Sequence, residues 1–97
     1  ALPIWFQLKA HILERASLRY TPAGLPALDL VLNHASEQFD NGVKRQVNLQ
    51  IRAICFGHLA EVLNTSDMSV KADFSGFITP SKTGRGLLFH IQVFNPI

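Results

Sequence analysis

With 97 residues, 47% of them apolar, the chain is long enough for one hydrophobic core and too short for two, which excludes a disordered chain. The formal charge of +2 permits an anionic partner without requiring one. Cys55 is the only cysteine, which excludes an intrachain disulfide and suits a reducing compartment.

Ile4, Phe6, Leu8, Ala10 and Ile12 alternate with Trp5, Gln7, Lys9 and His11. A period of two sets an apolar face against a polar one and predicts the first strand. Residues 14–17 end it. Arg19 to Gly24 then reads as a turn, because Pro22 fixes φ and Gly24 tolerates positive φ. Pro26 opens the second strand, in which Leu28, Leu30 and Leu32 alternate with Asp29, Val31 and Asn33. That strand is expected to stop near His34. Ala35 to Gly42 is polar, ends in Asp40-Asn41-Gly42, and reads as a loop carrying Phe39.

Val43 to Gly57 is the longest amphipathic stretch. Val43, Val47, Leu49, Ile51, Ala53 and Cys55 share one parity; Lys44, Gln46, Asn48, Gln50 and Arg52 share the other. The stretch is more than twice the usual strand length of roughly 5–6 residues, so it is expected to curve and serve two parts of a sheet. Its polar face carries charge of one sign, which points to an anionic partner. Arg45 falls on the apolar parity, as expected where a strand starts beyond the core. After Gly57, Leu59, Val62 and Leu63 take helical spacing with Ala60 beside them, predicting a helix of two or three turns. Val70, Ala72 and Phe74 predict the fourth strand, with a bulge at Gly76 where the phase slips. Residues 79–86 are expected to form a basic loop. Leu87 to Phe94 is apolar on both parities and predicts a fifth strand buried on both sides.

Three strands, a short helix and two more strands make the pattern of an all-β, five-stranded Greek-key barrel, the OB-fold, as a single domain over residues 1–97. Such barrels bind oligonucleotides or oligosaccharides across the second and third strands. A five-stranded SH3-like barrel comes second, because it lacks this helix placement. A single-strand binder needs a basic track for phosphates and flat side chains for bases. Arg19, Lys44, Arg45, Arg52, Lys82 and Arg85 are the candidates for the track. Tyr20 is the first candidate for stacking. Trp5 is expected at an interface instead, with Gln7 and Lys9 on its parity, because an edge strand needs covering. Phe39 either stacks or packs against its own loop. Phe6, Phe74, Phe77 and Phe89 are expected in the core.

No catalytic constellation stands out, and neither an enzyme nor a cofactor is expected. His11, His34, His58 and His90 lack metal-ligand spacing. Cys55 lies on an apolar parity, where free cysteine is usually inert. Thr83-Gly84-Arg85-Gly86 lacks the Lys-Ser/Thr and the helix of a phosphate loop. No apolar run approaches the ~20 residues of a membrane helix, and residues 1–13 lack the pattern of a secretory leader.

Leu18 to Pro26, Leu30 to His34, Arg45 to Gln50 and the strand from Val70 to Ile78 resemble the primosomal replication protein N family, relatives of bacterial single-stranded DNA-binding proteins. The resemblance runs from about Leu8 to Phe94. It implies a bacterial, cytoplasmic homodimer, associated with the nucleoid during replication restart. Such a protein engages single-stranded DNA, the primosomal helicase and other primosome proteins. Related dimers pair along the first strand. Some relatives carry a stacking tryptophan where this chain has Asn48, and more loop lysines than Lys82 and Arg85 provide. The resemblance therefore implies weak, electrostatic DNA contact. Two other functions remain open: a protein-interaction barrel that holds replication proteins, and a general single-strand-binding protein. The latter usually carries an acidic-tipped tail that is not seen after Pro96-Ile97.

Overall fold

The computed structural model describes residues 4–81 and 86–97. The elements run β1 (Ile4–Arg15), β2 (Arg19–Tyr20), β3 (Pro26–Asp40), β4 (Val43–Phe56), α1 (His58–Thr65), β5 (Ala72–Pro80) and β6 (Leu87–Pro96). The five long strands form a closed circuit. β1 pairs with β5, β5 with β6, β6 with β4, β4 with β3, and β3 returns to β1. Every pairing is antiparallel except β4 with β6, which run parallel over Arg52–Ile54 against Leu88–His90. This is the expected all-β order with one short helix, plus a two-residue β2 within the expected turn. β2 forms because Arg19 and Tyr20 find partners in Ala27 and Pro26, below the point where β1 leaves β3.

The circuit closes around the inward parities. Leu8, Ala10 and Ile12 from β1, Leu28, Leu30 and Leu32 from β3, and Ile51, Ala53 and Cys55 from β4 are buried together with Phe74, Phe89 and Ile91. Phe6 meets the Phe89 ring edge-on at 5.5 Å. α1 adds the buried Ala60 and Leu63 to this cluster. So short a helix is marginal alone. Its last turn has no basic residue of its own, and Arg15 supplies one from the end of β1. The Arg15 guanidinium donates through Nη1 to the carbonyls of Leu63 (2.9 Å) and Ser66 (2.7 Å), satisfying C-terminal acceptors.

Gly76 lies at the expected bulge, where the β5–β6 register shifts after Ser75. A Cβ there would collide with the His90 carbonyl oxygen, so the two backbones approach as only glycine permits.

Four expectations need correction. First, Ala35–Asp40 is strand rather than loop. Asn41 (φ 51°) and Gly42 (φ 78°) form a two-residue turn of the kind tight hairpins require, so the ladder runs unbroken to Asp40 and Val43. Polarity in this segment marks a strand without core beneath it, not a loop. Second, β6 is buried on one side only, through Phe89 and Ile91. Third, β5 begins at Ala72, and Val70 lies exposed in the turn before it. Fourth, the bulge turns Phe77 out of the core, where it stacks on His90.

β1 pairs with β3 no further along β3 than Asn33, and β6 pairs with β4 no earlier than Arg52. Among the described residues, the ribbon from His34 to Leu49 therefore projects from the barrel with neither neighbour beside it. It is an arm of a molecule measuring 52 × 33 × 19 Å. At its root His34 Nδ1 lies 2.6 Å from the Lys9 carbonyl and Nε2 lies 3.0 Å from Ser36 Oγ. Nδ1–H donation to Lys9 and acceptance from Ser36 would satisfy both ring nitrogens of a neutral imidazole. The contact pins the fork where β1 and β3 part.

Candidate nucleic-acid interface

Residues directly opposed in an antiparallel ladder project to the same face. The β3–β4 register has no bulge over its whole length, so each face can be followed from barrel to arm tip. Leu32 opposes Ile51 and both are buried, which defines the inner face. Its continuation carries His34 and Leu49, Ser36 and Val47, Gln38 and Arg45, then Asp40 and Val43. The outer face carries Asp29 and Ile54, Val31 and Arg52, Asn33 and Gln50, Ala35 and Asn48, Glu37 and Gln46, then Phe39 and Lys44.

This geometry gathers some of the candidate residues and separates others. Lys44, Asn48 and Arg52 share the outer face. Arg19 joins them at the barrel end, where β2 pairs with β3, and its Nε lies 3.0 Å from Asp29 Oδ2. Arg45 is on the inner face, with its Nε 3.2 Å from Asp40 Oδ2. Tyr20 is 64% exposed, but strand alternation turns it away from Arg19, onto the parity of Pro26 and Leu28. It is therefore not a neighbour of the basic track. Lys82 and Arg85 lie outside the described residues.

The electrostatics of the outer face are tempered. Lys44 Nζ is held 3.2 Å from Glu37 Oε2, and Arg19 is held by Asp29. Arg52 makes no ion pair among the described residues, and Asp29 is held by Arg19 instead. A groove of about 240 Å³ lies between Arg19, Asp29 and Arg52 on one side and Leu87 and Leu88 on the other. Upstream, Gln46, Asn48 and Gln50 line up on one edge of the face and offer paired donors and acceptors.

Two aromatic side chains mark the ends of this face. Phe39 is 77% exposed opposite Lys44, and Phe56 is 41% exposed opposite Ala27, which in turn opposes Arg19. Reading Ala35–Asp40 as loop hid the parity that places Phe39 beside Lys44. The Asp40-Asn41-Gly42 turn was the signal available, because a two-residue hairpin turn at Asn41-Gly42 sets Phe39 opposite Lys44.

Trp5, Gln7 and Lys9 project from β1 on the outer side of the barrel. Trp5 opposes Phe77, which opposes His90, so three rings cross three strands in one row. The Phe77 and His90 rings stack at 4.7 Å with an 11° tilt, and Thr79 Oγ1 lies 3.0 Å from His90 Nε2. Burial in this stack holds the His90 pKa below its ordinary value. Lys9 opposes Asp73. The edge of β1 from Ile4 to Ala10 that faces away from β5 pairs with no strand among the described residues. Cys55 is sealed in the core; burial first, then the nearby Asp29 charge, push its pKa up to about 12, leaving a neutral thiol. Among the described residues no cluster of His, Cys, Asp and Glu could hold a metal, and no helix is long and apolar enough to cross a membrane.

Residues 5–93 match a family described as another single-strand binding protein family. Replication restart protein PriB from Bordetella pertussis is 41% identical over 76 residues, spanning 78% of this chain and 71% of that relative. The solved PriB structure from Ralstonia solanacearum superposes with a TM-score of 0.83 at 31% identity, covering 100% of each chain. The single-stranded DNA-binding protein from Thermus aquaticus superposes with a TM-score of 0.77 at 21% identity, covering 100% of this chain and 52% of that one, which shows a shared fold. A β-circuit closed by a parallel β4–β6 contact, carrying its polar face on the β3–β4 ladder, thus comes with sequence identity across most of its length, and the chain belongs to the family of PriB replication restart proteins.

Proposed function

We propose that this chain acts as a single OB-fold domain that binds single-stranded DNA during replication restart in the bacterial cytoplasm, with no catalysis of its own. The observation that carries this reading is the unbroken β3–β4 ladder, which sets Arg52, Asn48 and Lys44 on one outer face with Arg19 at its end. Phosphates would displace Glu37 from Lys44 and Asp29 from Arg19, and Arg52 would meet them without that exchange. The amide row would contact sugars and base edges without demanding one sequence. Lys82 and Arg85 would add positive charge to the phosphate contacts.

The partners are a primosomal helicase and other primosome proteins. A homodimer would use the open β1 edge, with Trp5, Gln7 and Lys9 near the junction. Pairing there would satisfy the open N–H and C=O groups of that edge.

The test is a fluorescence-anisotropy titration with single- and double-stranded oligonucleotides at two salt concentrations, with the solution mass measured alongside. If about four phosphates are contacted, log K falls with log salt at a slope of about −3, using ~0.7 per single-strand phosphate. Preference for duplex, or indifference to salt, would sink the proposal. A monomeric mass would remove the dimer alone.

The carboxylates that hold Lys44 and Arg19, together with Asn48 in place of a ring, favour a second reading, in which protein contacts dominate and DNA contact is weak. A Lys82→Ala/Arg85→Ala double variant separates the two. Helicase stimulation that survives while DNA binding vanishes selects the protein-interaction role.

A further inference from the structure

We infer that the arm tip carries a stacking subsite for an unpaired nucleobase, built from Phe39 with Lys44 beside it and reached along the amide row of Gln46 and Asn48. The inference rests on the single-strand-binding reading and adds where on this chain a base is gripped.

An aromatic side chain at 77% exposure forfeits most of the burial that normally holds such a ring, and nothing in the arm covers it. No ring partner for it occurs among the described residues. It does not fold back on its own loop, because the two-residue turn at Asn41-Gly42 leaves no loop to fold onto. The ladder fixes its direction: Phe39 is on the outer face, directly opposite Lys44 and on the parity of Asn48 and Arg52. Cross-strand partners of this kind have Cβ atoms roughly 4.5–5.5 Å apart, close enough for a ring to carry a base while the ammonium takes the adjoining phosphate. The Glu37 carboxylate, 3.2 Å from Lys44 Nζ, keeps the ammonium at the arm until a phosphate replaces it.

The occupant is a nucleobase rather than an apolar peptide because of what surrounds the ring. Its neighbours on the outer face are Lys44, Glu37, Gln46 and Asn48, with Ala35 the one apolar side chain nearby. The exposed aliphatic residues of the arm, Val43, Val47 and Leu49, belong to the inner face. A peptide that buried Phe39 would have to desolvate charges and amides around it. A base needs one flat surface and leaves the polar rim wet. The subsite also compensates for Asn48, which offers no plane, by placing a ring on the neighbouring strand farther toward the tip.

The experiment uses the full chain and dT oligonucleotides, with otherwise identical oligonucleotides of abasic sites as the phosphate-only control. Phe39→Ala is expected to weaken dT binding on the order of tenfold, the scale of one lost base stack, and to leave abasic binding unchanged. Phe39→Leu, which keeps apolar bulk without the plane, is expected to behave like Phe39→Ala. Phe39→Trp is expected to retain dT binding. In a Trp5→Phe background, whose own affinity is measured as the reference, Phe39→Trp is expected to show fluorescence quenching by dT and none by the abasic strand. Equal dT affinity for wild type and Phe39→Ala, equal losses on dT and abasic strands, or an unquenched Trp at position 39 each overturns the subsite while the single-strand-binding reading stands. A wild-type chain that binds no single strand at all overturns both.

Discussion

At the scale of single residues, two of the outer-face cations, Lys44 and Arg19, are already spoken for, and Arg52 is not. Lys44 and Arg19 are exposed and paired, and such pairs contribute little stability. Their consequence is competition, since a phosphate arriving at Lys44 or Arg19 must displace a carboxylate, whereas one arriving at Arg52 need not. Glu37→Gln is therefore expected to tighten single-strand binding by about two- to fivefold, the scale of one exposed ion pair. Melting temperature should hardly move; anisotropy and a thermal melt measure the two effects. His90 gives a pH signature. Burial holds its folded-state pKa below the ordinary 6.5, so the unfolded chain takes up this proton first on acidification. The stability contributed by neutral His90 is complete above 6.5 and is lost as pH falls below that value toward the folded-state pKa. Thermal melts from pH 7 to pH 5 should therefore fall less steeply for His90→Gln than for wild type.

At the scale of elements, legibility in the sequence followed the core. Ile51, Ala53 and Cys55 lie over the barrel, and alternation identified their strand correctly. Gly76 was readable as a bulge because a phase slip and a glycine coincide. Gly76→Ala is expected to cost ~1–3 kcal/mol, because the new methyl meets backbone that cannot rotate away. A thermal melt would read this as a fall of about 4–8 °C for each kcal/mol. Ala35–Asp40 failed as a reading for the opposite reason. Without a core beneath it, the strand has no apolar row to betray it, and only the Asp40-Asn41-Gly42 turn reveals a hairpin. The candidate site inherited that error. Lys44, Asn48 and Arg52 were legible as one polar parity of one strand. Phe39 was not placed beside them, because cross-strand register is absent from any single stretch of sequence. The ion pairs to Glu37 and Asp40 were hidden for the same reason.

At the scale of the whole molecule, a packed barrel carries a two-stranded ribbon that meets no third strand among the described residues. Isolated ribbons of this kind are at best marginally stable. Backbone amides of residues 35–49 are expected to exchange with solvent by local opening, orders of magnitude faster than those of Leu28, Leu30, Ala53 and Cys55. Hydrogen exchange followed by mass spectrometry measures the contrast, and single-stranded DNA should slow the arm selectively. The unbroken register of the ribbon has one more consequence. Inserting or deleting one residue in each strand, symmetrically about Asn41-Gly42, moves the turn by one pair and flips which side its neighbours take. Two residues in each strand restore the sides and change the reach by about 6.8 Å, at ~3.4 Å per residue. The arm is thus a gauge graduated in two-residue steps, and its length can drift among relatives only in those steps if the contacts at its tip are to survive.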